Sequence, residues 1–493
     1  MHKVKTTLCG LTFVAAMVAS GAQAASLQEA ASSSGAAGVK SIEFSGSGQW
    51  FQFGQAPNPT LPWPRFDVSS YSADINYEAP AARVQIARKQ FVESGRLRPA
   101  PVEQKVDAYV SGSAAWNLAP PQGAAPGTAA VATAQPAAVE ERTAEIWATP
   151  HGFLKAALAS NATSRAIGDA VEVSFTLGGK YHYLGTINAK NQVEKVRTWI
   201  DTPVLGDTLV ETKFSDYKAF AGFEFPARIV RIEGEHPILD LTIADAKLNP
   251  AVDIAVPQNV ADAKPTAPIV AVNKLAEGVY YLTGGTHHSV AIEQRDHIVL
   301  VEAPLNEERS LALIEKLNEI IPNKPVKFVV ASHVHFDHAG GLRTFVDSGA
   351  VIVSHESDKP YFEKAWESPR SLHPDRLSKS HKLAKFETYA EKYDLTDGSR
   401  KIEIHRIVGS GHSDDLALIY LPAEKILIEA DVYTPTALNA PPPSPANPYS
   451  VNLYKNIQRL KLDVVQIAAL HGPRVVTLSD LQIAIGQKAA SAQ

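Results

Sequence analysis

The chain has 493 residues, 45% of them apolar and 20% charged, a size that calls for two folded domains rather than one core. Its net charge of −5, from 47 basic and 52 acidic residues, leaves no basic surplus for nucleic acid or an anionic membrane surface. No apolar run is long enough to span a bilayer, so a small-molecule substrate is the expected partner and no integral membrane segment is expected.

The first residues read as an export signal. Lys3 and Lys5 make a basic start, residues 8–18 an apolar middle, and Ala22-Gln23-Ala24 a small-residue cleavage site. There is no arginine pair, and Cys9 precedes the apolar segment, too early for lipid attachment. The expectation is a signal peptide over 1–24 and a mature protein that is periplasmic or secreted. Removing that segment takes two lysines and no acid, moving the charge from −5 to −7. It also removes Cys9, Met1 and Met17, the only sulfur in the chain, which excludes disulfides and thiolate ligands. Resistance to oxidation, sparing of sulfur and chance composition are the competing accounts.

Residues 25–40 are small and polar and predict a flexible leader. From 41 to 250 the pattern is β-rich. Residues 171–177 alternate strictly, and Gly178-Gly179 turns them into a second strand over 180–188. Further β-type runs at 193–200, 209–220, 223–233 and 238–248, with no helices between, predict an antiparallel meander. Residues 120–138, rich in Ala, Pro and Gly, read as an insertion that does not pack, and 152–160 as a helix. The runs 211–217 and 222–229 resemble a strand pair of the half-open β-barrels of lipoprotein-carrier type. That resemblance implies a curved sheet that holds an acyl chain or covers a neighbouring site.

Pro257, Pro265 and Pro268 mark a linker over 251–270, after which strands alternate with helices to 493. Asn306 predicts a helix cap, with Leu311, Ile314, Leu317 and Ile321 on one face. Residues 359–395 predict a charged, helical excursion. Between them lies the densest chemistry in the chain. The β-branched run 326–330 leads into Ala331-Ser332-His333-Val334-His335-Phe336-Asp337-His338-Ala339-Gly340-Gly341. Imidazole and carboxylate hold zinc and similar cations. A strand ending in a tight loop directs His333 and His335 at one ion and leaves Asp337 and His338 for a second. Such crowding is costly without a cation to neutralise it.

Three other segments end the same way: 405–410 before Gly411-His412, 425–430 before Asp431, and 464–470 before His471-Gly472. Sites form where loops converge at strand ends. His287 and His288, after Thr283-Gly284-Gly285, are expected to line the substrate pocket.

The pattern His-x-His-x-Asp-His, a Gly-His, an Asp after a strand and a late His-Gly resembles the metallo-β-lactamase superfamily over 274–493. The resemblance implies an αββα sandwich over 271–493 that binds two metals, which with the antiparallel curved sheet expected before it makes an α+β two-domain chain. His333, His335 and His412 would hold the first, Asp337, His338 and His471 the second, and Asp431 would bridge them. Two zinc ions are the first expectation, with iron or manganese the other candidates. The superfamily's oxygen-reducing di-iron members carry Glu at the His335 position, and its zinc β-lactamases carry Cys or Ser at the Asp431 position. An Asp there matches the glyoxalase-II-like, lactonase, phosphodiesterase and sulfatase branches. The implied function is zinc-dependent hydrolysis of an ester, lactone or thioester-like bond by a metal-bound hydroxide that Asp337, the catalytic residue, orients. Cleavage of sulfate esters to scavenge sulfur is one alternative. A periplasmic protein that binds an apolar ligand and keeps a structural metal is another.

Overall fold

The computed structural model describes residues 25–487 apart from 122, 123, 125, 126, 265 and 439, so the expected signal peptide lies outside the described residues. Thirteen strands between Ser41 and Leu248 form one antiparallel sheet in which the first, Ser41–Phe51, pairs with the last, His236–Leu248. The alternation at 171–177 becomes strand Ala170–Leu177, with Val171, Val173 and Phe175 buried. Gly178 and Gly179, at φ +58° and +70°, supply the left-handed turn into Tyr181–Ile187.

Three helices, Leu27–Ser33, Val139–Trp147 and Pro150–Ala159, share the core of that sheet. Phe153, Leu154, Ala156 and Ala157 pack against Val173, Phe175 and Tyr183. An apolar face suited to an acyl chain is thus filled by the protein's own side chains. The stretch 25–40 was expected to be flexible. Instead Ser26 caps its helix, and Leu27, Ala30 and Ala31 are buried. Small residues lowered its apparent apolarity, yet they let a helix pack closely. The insertion over 120–138 also differs, because Val131–Ala134 adds an edge strand to Ala114–Ala119.

The C-terminal part holds two mixed sheets. The seven-stranded one runs from Ala271–Ala276 to Lys385–Tyr389, with Ile298–Val301, Val326–Val330, Val351–His355 and Lys385–Tyr389 parallel. The six-stranded one runs from Lys392–Thr396 to Val476–Thr477, with Ile426–Glu429 and Gln466–Ala469 parallel. Val290, Val301 and Val330 of the first share one apolar cluster with Ile404, Ile419 and Ile428 of the second. On its other side the first sheet meets helix Glu307–Ile320 through Leu313 and Leu317. Of the expected stripe, Leu317 and Ile321 are buried and Ile314 packs half-buried against the same cluster, while Leu313 rather than Leu311 completes the buried face. The second sheet meets helix Pro448–Leu460 through Leu453 and Ile457. The excursion over 359–395 carries two short helices and two strands rather than one helical run. Among the described residues no helix is long and apolar enough to cross a membrane.

Candidate metal centre

Strand Val326–Val330 ends at a loop whose backbone is held by buried acids. Ser332 N–H donates to Glu302 Oε1 at 2.7 Å, and Val334 N–H donates to Asp415 Oδ2 at 2.9 Å. Asp415 lies beside Asp358. Burial pushes both carboxyls up, and for Asp358 the charge of Asp415 adds to it. These bonds fix where His333 and His335 leave the backbone.

The loops then converge on two groups of donors, each with its ligand-type atoms within 4.8 Å of one another: His333, His335, His412 and Asp431, and His287, Asp337, His338 and His471. Nε2 of His412 faces Nε2 of His333 at 3.4 Å, and Nε2 of His471 faces Nε2 of His338 at 3.1 Å. Asp431 stands between the groups, Oδ2 2.8 Å from His338 Nε2 and 3.3 Å from His333 Nε2, and Oδ1 3.0 Å from His471 Nε2. Donors on a tetrahedral zinc ion about 2.0–2.1 Å from each nitrogen are roughly 3.3 Å apart. The observed spacings fit that shell. Nδ1 of His335 is buried without a hydrogen-bond partner, the state expected of an atom aimed at a cation.

The other ring atoms set the orientation of these donors. His335 Nε2 lies 2.9 Å from the carbonyl of Ala56, which can only accept, so Nε2 carries the proton and Nδ1 keeps its lone pair. His338 Nδ1 bonds Glu302 Oε2 at 2.5 Å, leaving Nε2 for the centre. Burial, reinforced by neighbouring imidazoles, holds His333 well below its ordinary pKa and His335 down to about 3, so both stay neutral donors. Burial works the same way on His338, but the carboxylates of Asp431 and Glu302 outweigh it and hold that ring protonated. A cation at Nε2 would displace that proton. For Asp337, burial opposes ionisation, but the hydrogen bond from His287 and the charge of His338 hold the carboxyl well below its usual range.

The N-terminal domain takes part directly. The loop over 52–64 places Gln55 Nε2 2.7 Å from Asp337 Oδ1, while His287 Nε2 is 3.0 Å from Oδ2. Both oxygens of Asp337 are therefore anchored, one from each domain. Phe336 N–H donates to Gly54 O at 3.1 Å, and Ser413 Oγ to Pro57 O at 3.0 Å. A side chain at Gly54 would lie 2.5 Å from the Phe336 ring, and one at Gly411 only 1.5 Å from Leu97 O. Arg96 forks onto both oxygens of Asp414 at 3.0 and 3.2 Å, closing the second contact.

All seven residues expected to hold metal are thus brought together. His287 was expected in the pocket wall. It stands among the second group of donors, held by a β-bridge to His471. His288 turns inward against Tyr281 and bonds Gly472 O through Nε2 at 2.8 Å, bracing the loop that carries His471. Sequence reasoning missed Glu302, although it ends strand Ile298–Val301 as the other acids end theirs. It also missed Gln55 and Ala56, for which the sequence holds no signal.

The family model for the metallo-beta-lactamase superfamily matches residues 282–456. A metallo-beta-lactamase type 2 of Elizabethkingia meningoseptica is 25% identical over 171 residues, which cover 33% of this chain and 61% of that protein. Among solved structures, a metallo-beta-lactamase from Pontibacter korlensis is 20% identical, covering 44% of this chain and 98% of its own, with a TM-score of 0.34. One from Pseudomonas aeruginosa in a mono-zinc form is 17% identical, covering 45% and 96%, with a TM-score of 0.35. The C-terminal domain of this chain is a metallo-beta-lactamase superfamily domain.

Proposed function

We propose that the chain is a periplasmic dinuclear metal-dependent hydrolase, acting on an ester, lactone or thioester-like bond from a four-layered αββα domain. The observation that carries this is the pair of donor groups sharing Asp431, with spacings suited to two zinc ions. His333, His335 and His412 would hold one ion, and Asp337, His338 and His471 the other, with Asp431 common to both. Bound there, the ions supply an acidified water and polarise the oxygen of the substrate. Asp337, fixed by Gln55 and His287, accepts a hydrogen bond from the attacking water and sets its direction. Glu302 holds the His338 ring in one tautomer, and Ala56 O does so for His335. An Asp at position 431 favours this chemistry over the β-lactam cleavage in the relatives' names.

The test is metal analysis of the purified protein joined to a panel of aryl esters, lactones, thioesters and β-lactams. Two equivalents of zinc and chelator-sensitive turnover of a carbonyl substrate are expected. Fewer than one equivalent, with no turnover on the panel, would rule the reading out. The absence of sulfur from residues 25–493 favours a second reading, sulfate-ester cleavage, which sulfate release from alkyl and aryl sulfates would reveal.

A further inference from the structure

A pocket of about 190 Å³ opens between the two domains, beside the first donor group. Gln52, Gln55 and Arg98 of the N-terminal domain line it, facing His335, His412 and Tyr449 of the C-terminal one. Its wall contains no carboxylate. Arg98 Nη1 reaches Tyr449 Oη at 3.4 Å, a long contact, and Nη2 is buried with no hydrogen-bond partner. The neighbouring cations are otherwise engaged: Arg96 forks onto Asp414, and Arg88 lies 3.4 Å over the Trp50 ring. A guanidinium stays charged at any relevant pH, and leaving one of its donors buried and unpaired is costly. Its fork matches the two oxygens of an oxyanion.

We infer that Arg98 is the specificity-determining residue, binding an oxyanion that the substrate carries beside the bond to be cut. The substrate class is accordingly a small ester, lactone or thioester bearing a carboxylate, phosphate or sulfate group. Because His335 and His412 share the wall, an oxyanion on Arg98 leaves the rest of the molecule against the donor groups. The N-terminal domain thereby selects what the C-terminal domain cleaves. This inference rests on the hydrolase reading, and its test separates the two.

Zinc-loaded wild type and R98Q, matched for melting temperature, are titrated calorimetrically with glutarate, methyl phosphate and methyl sulfate. R98K serves as the conservative variant. Wild type is expected to bind at least one of the three about 10- to 100-fold tighter than R98Q, with R98K between them. The tightest of the three identifies the oxyanion. Equal binding of all three by wild type and R98Q overturns the inference. In parallel, kcat/KM is measured for para-nitrophenyl glutarate monoester and para-nitrophenyl hexanoate, which share a leaving group. R98Q is expected to cost the carboxylated ester about tenfold more than the hexanoate, mainly through KM. Equal losses on both esters overturn the inference for a carboxylate. Arg98-dependent binding without turnover of either ester refutes ester hydrolysis and keeps the anion site.

Discussion

Glu302→Gln isolates a contact that belongs to neither donor group yet decides how one of them points. Glu302 is fully buried, and each of its oxygens takes one donor: Oε1 from Ser332 N–H at 2.7 Å, Oε2 from His338 Nδ1 at 2.5 Å. An amide of the same shape offers one acceptor and one donor. Either the Ser332 N–H or the His338 Nδ1–H must then face an NH2 group, at about 1–3 kcal/mol for an unsatisfied buried donor. If His338 is the loser, Nδ1 gives up its proton and the ring keeps the one on Nε2, the atom that faces His471 and Asp431. Loss of such an outer hydrogen bond weakens metal affinity about 10- to 100-fold, or roughly 1.4–2.7 kcal/mol. Zinc titration against a chromogenic chelator should resolve two binding steps in wild type. In E302Q one step should weaken by that factor while the other holds. Two unchanged steps in a folded E302Q protein would refute the view that Glu302 sets the His338 tautomer.

Gln55→Leu frees one oxygen of Asp337 without touching a ligand; kcat should fall about tenfold with zinc content unchanged. Gly411→Ala drives a methyl group into the Leu97 carbonyl, so residues 91–102 should separate from the second domain. Faster proteolysis there and a higher KM would mark this. His151 is 1% exposed, and burial holds its pKa down at about 4. The unfolded chain takes up this proton as pH falls through about 6.5, whereas the folded one resists until about 4, so stability is lost on acidification across that window. By pH 5 the loss is about 2 kcal/mol. Urea denaturation of metal-free protein at pH 7 and pH 5 should show His151→Leu sparing that amount, and equal losses would refute it. Chelation should lower the melting temperature of wild type, because ions held by the folded state alone stabilise it.

What could be seen in the sequence follows the range over which each signal acts. The strands Ile298–Val301, Val326–Val330, Ile426–Glu429 and Gln466–Ala469 announce themselves by apolar residues, continuous in Ile298–Val301 and interrupted by Lys327 in Val326–Val330. A His or Asp just beyond such a run is conspicuous, and this rule located His333, Asp431 and His471. Glu302 obeys it too, but a glutamate beside no histidine in sequence looks like a cap, and only the fold shows His338 against it. The helix Leu27–Ser33 was hidden because alanine and serine say little about burial. The insertion strand Val131–Ala134 was hidden because edge pairing needs a partner more than a pattern.

The contribution of the N-terminal domain was out of reach for a different reason. Gln55, Ala56 and Arg98 act through an amide, a backbone carbonyl and an unpaired cation, none of which has a spacing signature. Gln55 meets Asp337 across 282 residues of chain. Yet the pairing is specific: only the Ala56 carbonyl fixes the proton of His335 on Nε2, and only the Gly54 turn lets the loop approach Phe336. A domain that merely covered a finished site would need neither contact. The donor geometry of the second domain is therefore set partly by the first, and the two have to be treated as one structural unit.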